Sequence, residues 1–451
     1  MIKTGWATRD ITPDRPAMLQ GQMYVRVADK SMDPLTLTAF AVDGGEETGE
    51  KLVLVSCDLC IVTEKLHDIV RDKISGRLPD LDGNSIILTA THTHTSLVVC
   101  ETFYEQPDGD VMTADECVNW VADHIVEAVV EAWEKRVNSR VGNAYGFAVV
   151  GFNRRVVYKD GRALMYGSSN SPDFSHIEGS EDHGLDMVFV WSDKNELTGV
   201  ILNIPCPSQV DQCRELFSAD FWHEIREYLK LHLGSAIHVL SLCGAAGDQS
   251  PTCLTDRRAQ VEMRRRRGLT LRQDIAVRVG NEVLRALQAT YPSCEKPQIS
   301  HLTKTITFPR RKISQVEYDW AKGQYEALIK KGVSLNNWEC KQLRMLLESF
   351  EGDGLMPEKS AELHAIKLGS IAFVTNPFEL FVDFGTKIKT RSVATHTFVV
   401  QLAGGTTLYL PTERAVQGGH YGAHPMVAPV GPDGGDVLVE TSLDMIKELF
   451  S

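Results

Sequence analysis

Five apolar stretches of this chain each run straight into a polar or glycine-rich segment, and that repeated pairing limits the folds open to it. Ser85-Ile86-Ile87-Leu88 leads into Thr91-His92-Thr93-His94-Thr95. Val200-Ile201-Leu202 leads into Pro205-Cys206-Pro207-Ser208, and Val239-Leu240-Ser241-Leu242 into Gly244-Ala245-Ala246-Gly247-Asp248-Gln249-Ser250-Pro251. Ile371-Ala372-Phe373-Val374 leads into Asn376-Pro377-Phe378-Glu379, and Phe398-Val399-Val400 into Gly404-Gly405 and then Tyr409. Short apolar runs alternating with helical-period stretches are the pattern of an α/β layer structure. Ligands of open α/β sheets bind beyond the carboxyl ends of the strands. The five segments therefore predict one shared rim.

The remaining pattern agrees. Strands are predicted at 51–57, 85–89, 140–147, 187–191, 199–204 and 237–242, with helices at 64–74, 114–137, 220–233 and 269–287. From 314 to 350 the chain is charged, helical and poor in β-branched residues, a helical excursion at about 310–357 inside one unit spanning 1–451. A hairpin follows at 362–367 and 371–375, turned by Leu368-Gly369-Ser370, then a helix at 381–390, a strand at 396–402 and a closing helix at 441–450. The glycine- and proline-rich stretch 404–435 is too long for a simple connector, and such loops are usually functional. The expected fold is α/β: a large mixed β-sheet flanked by helices, with the active site at the carboxyl ends of strands.

Charge and composition exclude several classes. A net charge of −13 argues against a nucleic-acid partner, which needs a positive surface. The one basic run, Arg264-Arg265-Arg266-Arg267, is expected to open a helix as a solvated face or anion contact. Met1 to Trp6 lacks the pattern of a secretory signal, and no apolar run reaches the ~20 residues of a membrane span. The expectation is a cytoplasmic chain whose ten cysteines are reduced thiols. Cys57 and Cys60 form a CxxC, read as a buried strand end or as a redox or zinc pair.

Several residues can carry chemistry. His92 and His94, two apart, share a face of an extended segment. There they share a metal or flank a carbonyl, unless they are simply solvated. Small residues before Asp248 let backbone approach a ligand, placing the Ser250 hydroxyl near substrate. The segment lacks the G-x-S-x-G frame of a serine nucleophile, and Asp248 capping a tight turn is the plain alternative. Arg154 offers a fork to an anionic or carbonyl oxygen, or lies on the surface. Glu379 is either a hard oxygen ligand or a carboxylate favoured by a helix start. His176, His183, His420 and His424 fall in loops that could extend the site.

Taken in order, these motifs resemble one family. Gly5-Trp6-Ala7, Asp10-Ile11-Thr12-Pro13, His92-Thr93-His94, Asn153-Arg154, Gly247-Asp248 with Ser250-Pro251, Pro377-Phe378-Glu379, and Tyr409 with Tyr421 look like the amino-terminal catalytic domain of the neutral/alkaline ceramidases. The resemblance implies a zinc amidase that cleaves an N-acyl bond with metal-activated water, one Zn2+ per chain. It implies His92, Glu379 and Tyr409 as zinc ligands, His94, Arg154 and Tyr421 around the scissile amide, and Ser250 on the substrate. The family's second zinc-binding histidine falls at Cys206, which is either a substitute ligand or a small buried residue. Lipid-active members carry an additional carboxy-terminal β-sandwich domain that this sequence does not, which turns the expectation away from ceramide itself. The expected partner is a small-molecule or lipid-like acylated substrate. The alternatives are a hydrolase of a small soluble amide or ester, and a scaffold that binds ligand or metal without catalysis.

Overall fold

Two β-sheets lie face to face at the centre of the molecule. The computed structural model describes residues 2–45, 49–100, 103–292 and 297–451. The first sheet holds β1 (Ile2–Asp10), β2 (Thr36–Asp43), β3 (Lys51–Cys57), β4 (Ile86–Ala90), β5 (Val137–Phe147), β6 (Gly184–Ser192), β7 (Leu197–Ile204) and β8 (His238–Cys243). Its spatial order is β8-β7-β6-β5-β1-β2-β3-β4. The second holds β9 (Ile299–Phe308), β10 (Lys359–Leu368), β11 (Ile371–Thr375) and β12 (His396–Val400), in that order. Both sheets are mixed, as expected, although the sequence pattern pointed to one sheet rather than two.

Strand alternation builds the layers. Leu52 and Leu54 of β3 face the second sheet, while Val53, Val55 and Cys57 face the helices behind. Between the sheets, Trp6, Phe40, Ile87, Val188 and Leu240 meet Ile366, Phe373 and Phe398. In chain order the main helices are α1 (Glu64–Ser75), α2 (Ala114–Glu134), α3 (Phe221–Leu233), α4 (Arg257–Arg267), α5 (Leu271–Gln288), α6 (Gln315–Lys330), α7 (Trp338–Gly352), α8 (Val382–Arg391) and α9 (Pro432–Phe450). Helices α1 and α2 cover one half of the first sheet's outer face, and α3 and α5 cover the other. The second sheet's outer face, with Leu363, Ala365, Val374 and Val399, is covered by α6 to α9. The result is four layers: helices, sheet, sheet, helices. Among the described residues, no helix is long and apolar enough to cross a membrane.

Several boundaries differ from the sequence expectation, each for a local reason. Helix α2 stops at Glu134 because Val137 already pairs with Thr4 in β5. The basic run closes α4 instead of opening a helix; its arginines lie in the last turn, where free carbonyls favour cations. The following Gly268 sits at φ 66, the left-handed cap that ends such a helix. Helix α9 begins at Pro432, nine residues before the expected start, with proline in the first turn where its missing N–H costs nothing.

The carboxyl ends of three parallel pairs meet. Cys57 is level with Ala90, Ile204 with Cys243, and Thr375 with Val400. Ala90 N donates to Leu402 O at 3.2 Å and Gln401 N to Cys243 O at 3.0 Å, which joins the ends of the two sheets.

Asp58, directly after β3, braces this rim. It accepts two hydrogen bonds from Arg226 of α3, at 2.6 and 2.9 Å, and others from Thr36 and the Thr91 hydroxyl. Removing one partner of a buried pair leaves an uncompensated charge, at a cost of about 3–5 kcal/mol. Arg226→Met is therefore expected to lower unfolding free energy in urea by about that amount. The double variant with Asp58→Asn is expected to recover part of it. A single variant that melts like wild type would show that the pair does not hold the rim.

Candidate active site

His92 follows β4 after a single residue and adopts φ 62, the left-handed region that non-glycine residues rarely enter. The two histidines therefore converge through a kink, not through the pleat of an extended strand. His92 Nδ1 donates to Cys60 O at 2.7 Å. Its Nε2 lies 3.3 Å from Glu379 Oε2 and 3.3 Å from His94 Nε2. Gly21, at φ 108, backs the His94 ring so closely that a Cβ there would lie 2.3 Å from His94 Cγ.

Glu379 and Tyr409 are brought together by a short parallel ladder, Glu379–Leu380 beside Tyr409–Leu410. Glu379 N donates to Leu408 O at 2.8 Å, and Leu408 is itself at φ 62. Arg154 spans the rear of the site. Its Nη2 donates to Gly247 O at 2.8 Å and Tyr409 Oη at 3.3 Å, and lies 4.0 Å from Glu379 Oε2. Its Nη1 donates to Gln209 Oε1 at 3.0 Å and Tyr166 Oη at 3.1 Å. Guanidinium only donates, so it fixes the Gln209 amide with its oxygen toward Arg154. Gln209 Nε2 then donates to His94 Nε2 at 2.8 Å. His94 must keep its lone pair on Nε2 and its proton on Nδ1, a buried atom without a hydrogen-bond partner among the described residues.

The motif segments are tied together by Asp248. Its Oδ2 accepts from Asn153 Nδ2 at 2.8 Å, its Oδ1 from Val382 N at 2.9 Å, and its carbonyl from Arg154 N at 2.9 Å. Burial pushes the Asp248 carboxyl up to about 6. Tyr421 meets Tyr409 edge to face, with ring centroids 5.4 Å apart. Ser250 reaches the group only through the Tyr166 hydroxyl, 3.3 Å from its Oγ.

Electrostatics separate the two histidines. Burial, then the positive charges of His92, Arg154 and Arg26, hold His94 well below the ordinary histidine value. Burial opposes charge on His92 too, but Cys60 and Glu379 together outweigh it and hold His92 well above that value. Burial pushes Glu379 up, yet His92 and Arg154 bring it below the usual carboxylate range. Burial and the Glu379 charge raise the Tyr409 phenol well above its ordinary value.

This donor set fits a divalent metal. With its Nδ1 proton given to Cys60 O, a neutral His92 presents a lone pair from Nε2. That lone pair faces a Glu379 carboxylate oxygen at 3.3 Å, with the unprotonated His94 Nε2, which Gln209 donates to, also 3.3 Å away. Such an arrangement needs a proton or a cation at its centre, and nitrogen and oxygen donors of these types are the ligands zinc takes.

The structure does not bring every expected residue in. His92, His94, Glu379, Tyr409 and Tyr421 line one chamber of about 50 Å3, with Arg154 behind it. Cys206 is buried in the core under α3, its thiol donating to Pro207 O at 3.5 Å. It does not join the His/Cys group whose ligand atoms lie within 4.8 Å of one another; that group is Cys60, His92 and His94. Gln209, three residues on, is the member of that loop that reaches the site. The CxxC splits: Cys57 packs toward the helices, while Cys60 Sγ lies 3.8 Å from His92 Nδ1. His176, His183, His420 and His424 do not line the chamber. His424 stacks on Trp320 with centroids 3.9 Å apart, and His420 Nδ1 accepts from Met165 N. Sequence reasoning missed Gln209, Tyr166 and Gly21, for which no local signal exists. It also missed the apolar wall, Met23, Ile61, Phe103, Trp338, Leu408 and Val427.

Two solved structures share this fold over nearly the whole chain. The neutral ceramidase from Pseudomonas aeruginosa superposes with a TM-score of 0.70 at 17% identity, covering 99% of this chain and 74% of that one. A ceramidase complexed with C2 superposes with a TM-score of 0.71 at 16% identity, covering 100% and 75%. No family model and no curated protein matches the chain in sequence.

The Gln209 orientation has a spectroscopic signature. In metal-free protein, two-bond 1H–15N spectra are expected to show His94 as the neutral Nδ1–H tautomer, still neutral where ordinary histidines gain a proton. An Nε2–H tautomer would overturn the assignment. Gly21→Ala is expected to perturb the same His94 resonances, because its Cβ would enter the space of the ring.

Proposed function

We propose that this protein is a metal-dependent hydrolase of the ceramidase type that cleaves the amide bond of an N-acyl substrate. The observation that carries this reading is the convergence of His92 Nε2, His94 Nε2, Glu379 Oε2 and the Tyr409 hydroxyl on one buried chamber. The fold shared with two ceramidases gives it support.

His92, Glu379 and Tyr409 would hold one Zn2+, with Cys60 placed to serve as a further ligand and Cys206 taking no part. When bound, the ion polarises a carbonyl and lowers the pKa of water from about 16 toward about 7. The chain's own residues do the rest. His94, neutral because burial and nearby positive charge oppose its protonation, takes a proton from the attacking water on Nε2. It returns that proton to the departing nitrogen, the ordinary task of a positioned general acid–base. Gln209 donates to Nε2 in the resting site, which keeps that nitrogen unprotonated, and releases it when the proton arrives. Arg154, held by Gly247 O, Gln209 and Tyr166, balances Glu379 and Tyr409. Tyr421 donates to the oxygen on which charge develops, a contribution of about 3–4 kcal/mol for a well-placed donor. Ser250, acting through the Tyr166 hydroxyl, helps to position Arg154.

Metal analysis by mass spectrometry is expected to find about one zinc per chain after zinc is supplied, as in catalytic sites of this ligand type. His92→Ala and Glu379→Ala should lose both metal and hydrolysis of N-acyl amides, whereas Cys206→Ser should keep both. Protein that takes up no zinc, or a His92→Ala variant that retains hydrolysis, would sink the reading. Tyr421→Phe should lower kcat by about 100- to 1,000-fold with KM little changed.

A further inference from the structure

The chamber's walls carry information about what it accepts. Its volume is about 50 Å3, far below the ~300–1,000 Å3 of pockets that enclose a whole drug-sized ligand. It admits only a short end group of a substrate. Opposite the donor atoms the wall is apolar: Met23, Ile61, Phe103, Trp338, Leu408 and Val427. An apolar surface offers nothing to hydroxyl or amino groups and favours a methyl end.

The closure of this wall is built. Trp338 is the first residue of α7, whose start is fixed by the Asn337 side chain accepting from Glu339 N at 2.9 Å and Cys340 N at 3.4 Å. Its ring, 7% exposed, stacks on Phe103 with centroids 4.6 Å apart and planes 19° apart. Behind Phe103, the Tyr104 hydroxyl donates to Gln22 O, between the Gly21 that backs His94 and the Met23 that lines the chamber. The helical excursion thus reaches the active site through a single indole ring, tied to the segment that positions His94. Arg154, Gln209 and Tyr166 do not line the chamber; they hydrogen-bond to one another behind its donor atoms.

We infer that the substrate is an N-acetyl or similarly short N-acyl amide, and that Trp338 is the residue that limits acyl length. The short acyl end lies against Trp338 and Phe103. This rests on the amide-hydrolase reading above.

The test uses the full chain supplied with zinc and the acetyl, butanoyl and octanoyl amides of one amine. Wild type is expected to favour acetyl over octanoyl by about a hundredfold in kcat/KM, given the 10–200-fold that one misfitting methylene produces. Trp338→Ala, and Trp338→Leu as the variant that keeps apolar packing, should raise the octanoyl-to-acetyl ratio by about tenfold or more. A wild type that prefers octanoyl, or a ratio unmoved in both variants, overturns the inference. Calorimetric titration with acetate and octanoate reads the chamber without turnover. Acetate alone should bind wild type, and both should bind Trp338→Ala. Octanoate binding wild type as well as acetate overturns the size limit. If no amide is cleaved while acetate discriminates as expected, the hydrolase reading fails and the size limit stands.

Discussion

The carboxylate of Asp248 is the point on which the site depends. Two separate stretches of chain supply its donors or take its carbonyl: Asn153-Arg154 and Val382. Without it, the backbone of Arg154 and the turn after Glu379 would have no common reference. A carboxylate this deeply buried is expensive, which is why burial raises its proton affinity. Two donated hydrogen bonds offset that cost. Gln401 repeats the device one strand away, its Oε1 accepting from both Ala246 N and Leu380 N. Between them, Asp248 and Gln401 join the end of β8 in the first sheet to the end of β11 in the second.

The double-sheet architecture is what makes such joining possible. Each sheet delivers parallel strand ends to the same rim, two pairs from the first and one from the second. The chain then enters left-handed backbone at two non-glycine residues that line the chamber, His92 and Leu408. Each such residue stores about 1–3 kcal/mol and persists only where the surroundings hold it. At His92 the hold is Cys60 O on the ring. At Leu408 it is the carbonyl that accepts from Glu379 N.

Much of this was legible in the sequence, and the residues that were not have a common character. His92, His94, Glu379, Tyr409, Tyr421 and Arg154 stand just after strands or in the long loop, and composition marks such places. Cys206 shows the limit of counting positions: a loop of Pro-Cys-Pro turns that thiol into the core and presents Gln209 instead. Gly21, Tyr166, Phe103 and Trp338 carry no local mark, because their roles arise from approach across the fold. Strands β1, β2 and β9 escaped for another reason. In β1 and β9 apolar residues alternate with threonine, lysine and histidine, so no continuous apolar run betrays them, whereas β2 holds only the short run Ala39-Phe40-Ala41-Val42.

The excursion that carries Trp338 leaves the second sheet after Phe308 and returns at Lys359, and these two residues face each other in the ladder between β9 and β10. Its two ends are therefore neighbours; between them α6 packs against α7, with Tyr318 stacked on Phe350, and both pack on the second sheet. The exposed positions of such a segment can vary in length and side chain while its buried face on the second sheet and the strand pairing on either side stay the same. The catalytic groups all come from other elements. A lineage could therefore redraw which molecules are admitted by editing this hairpin alone, leaving the machinery that breaks the bond untouched.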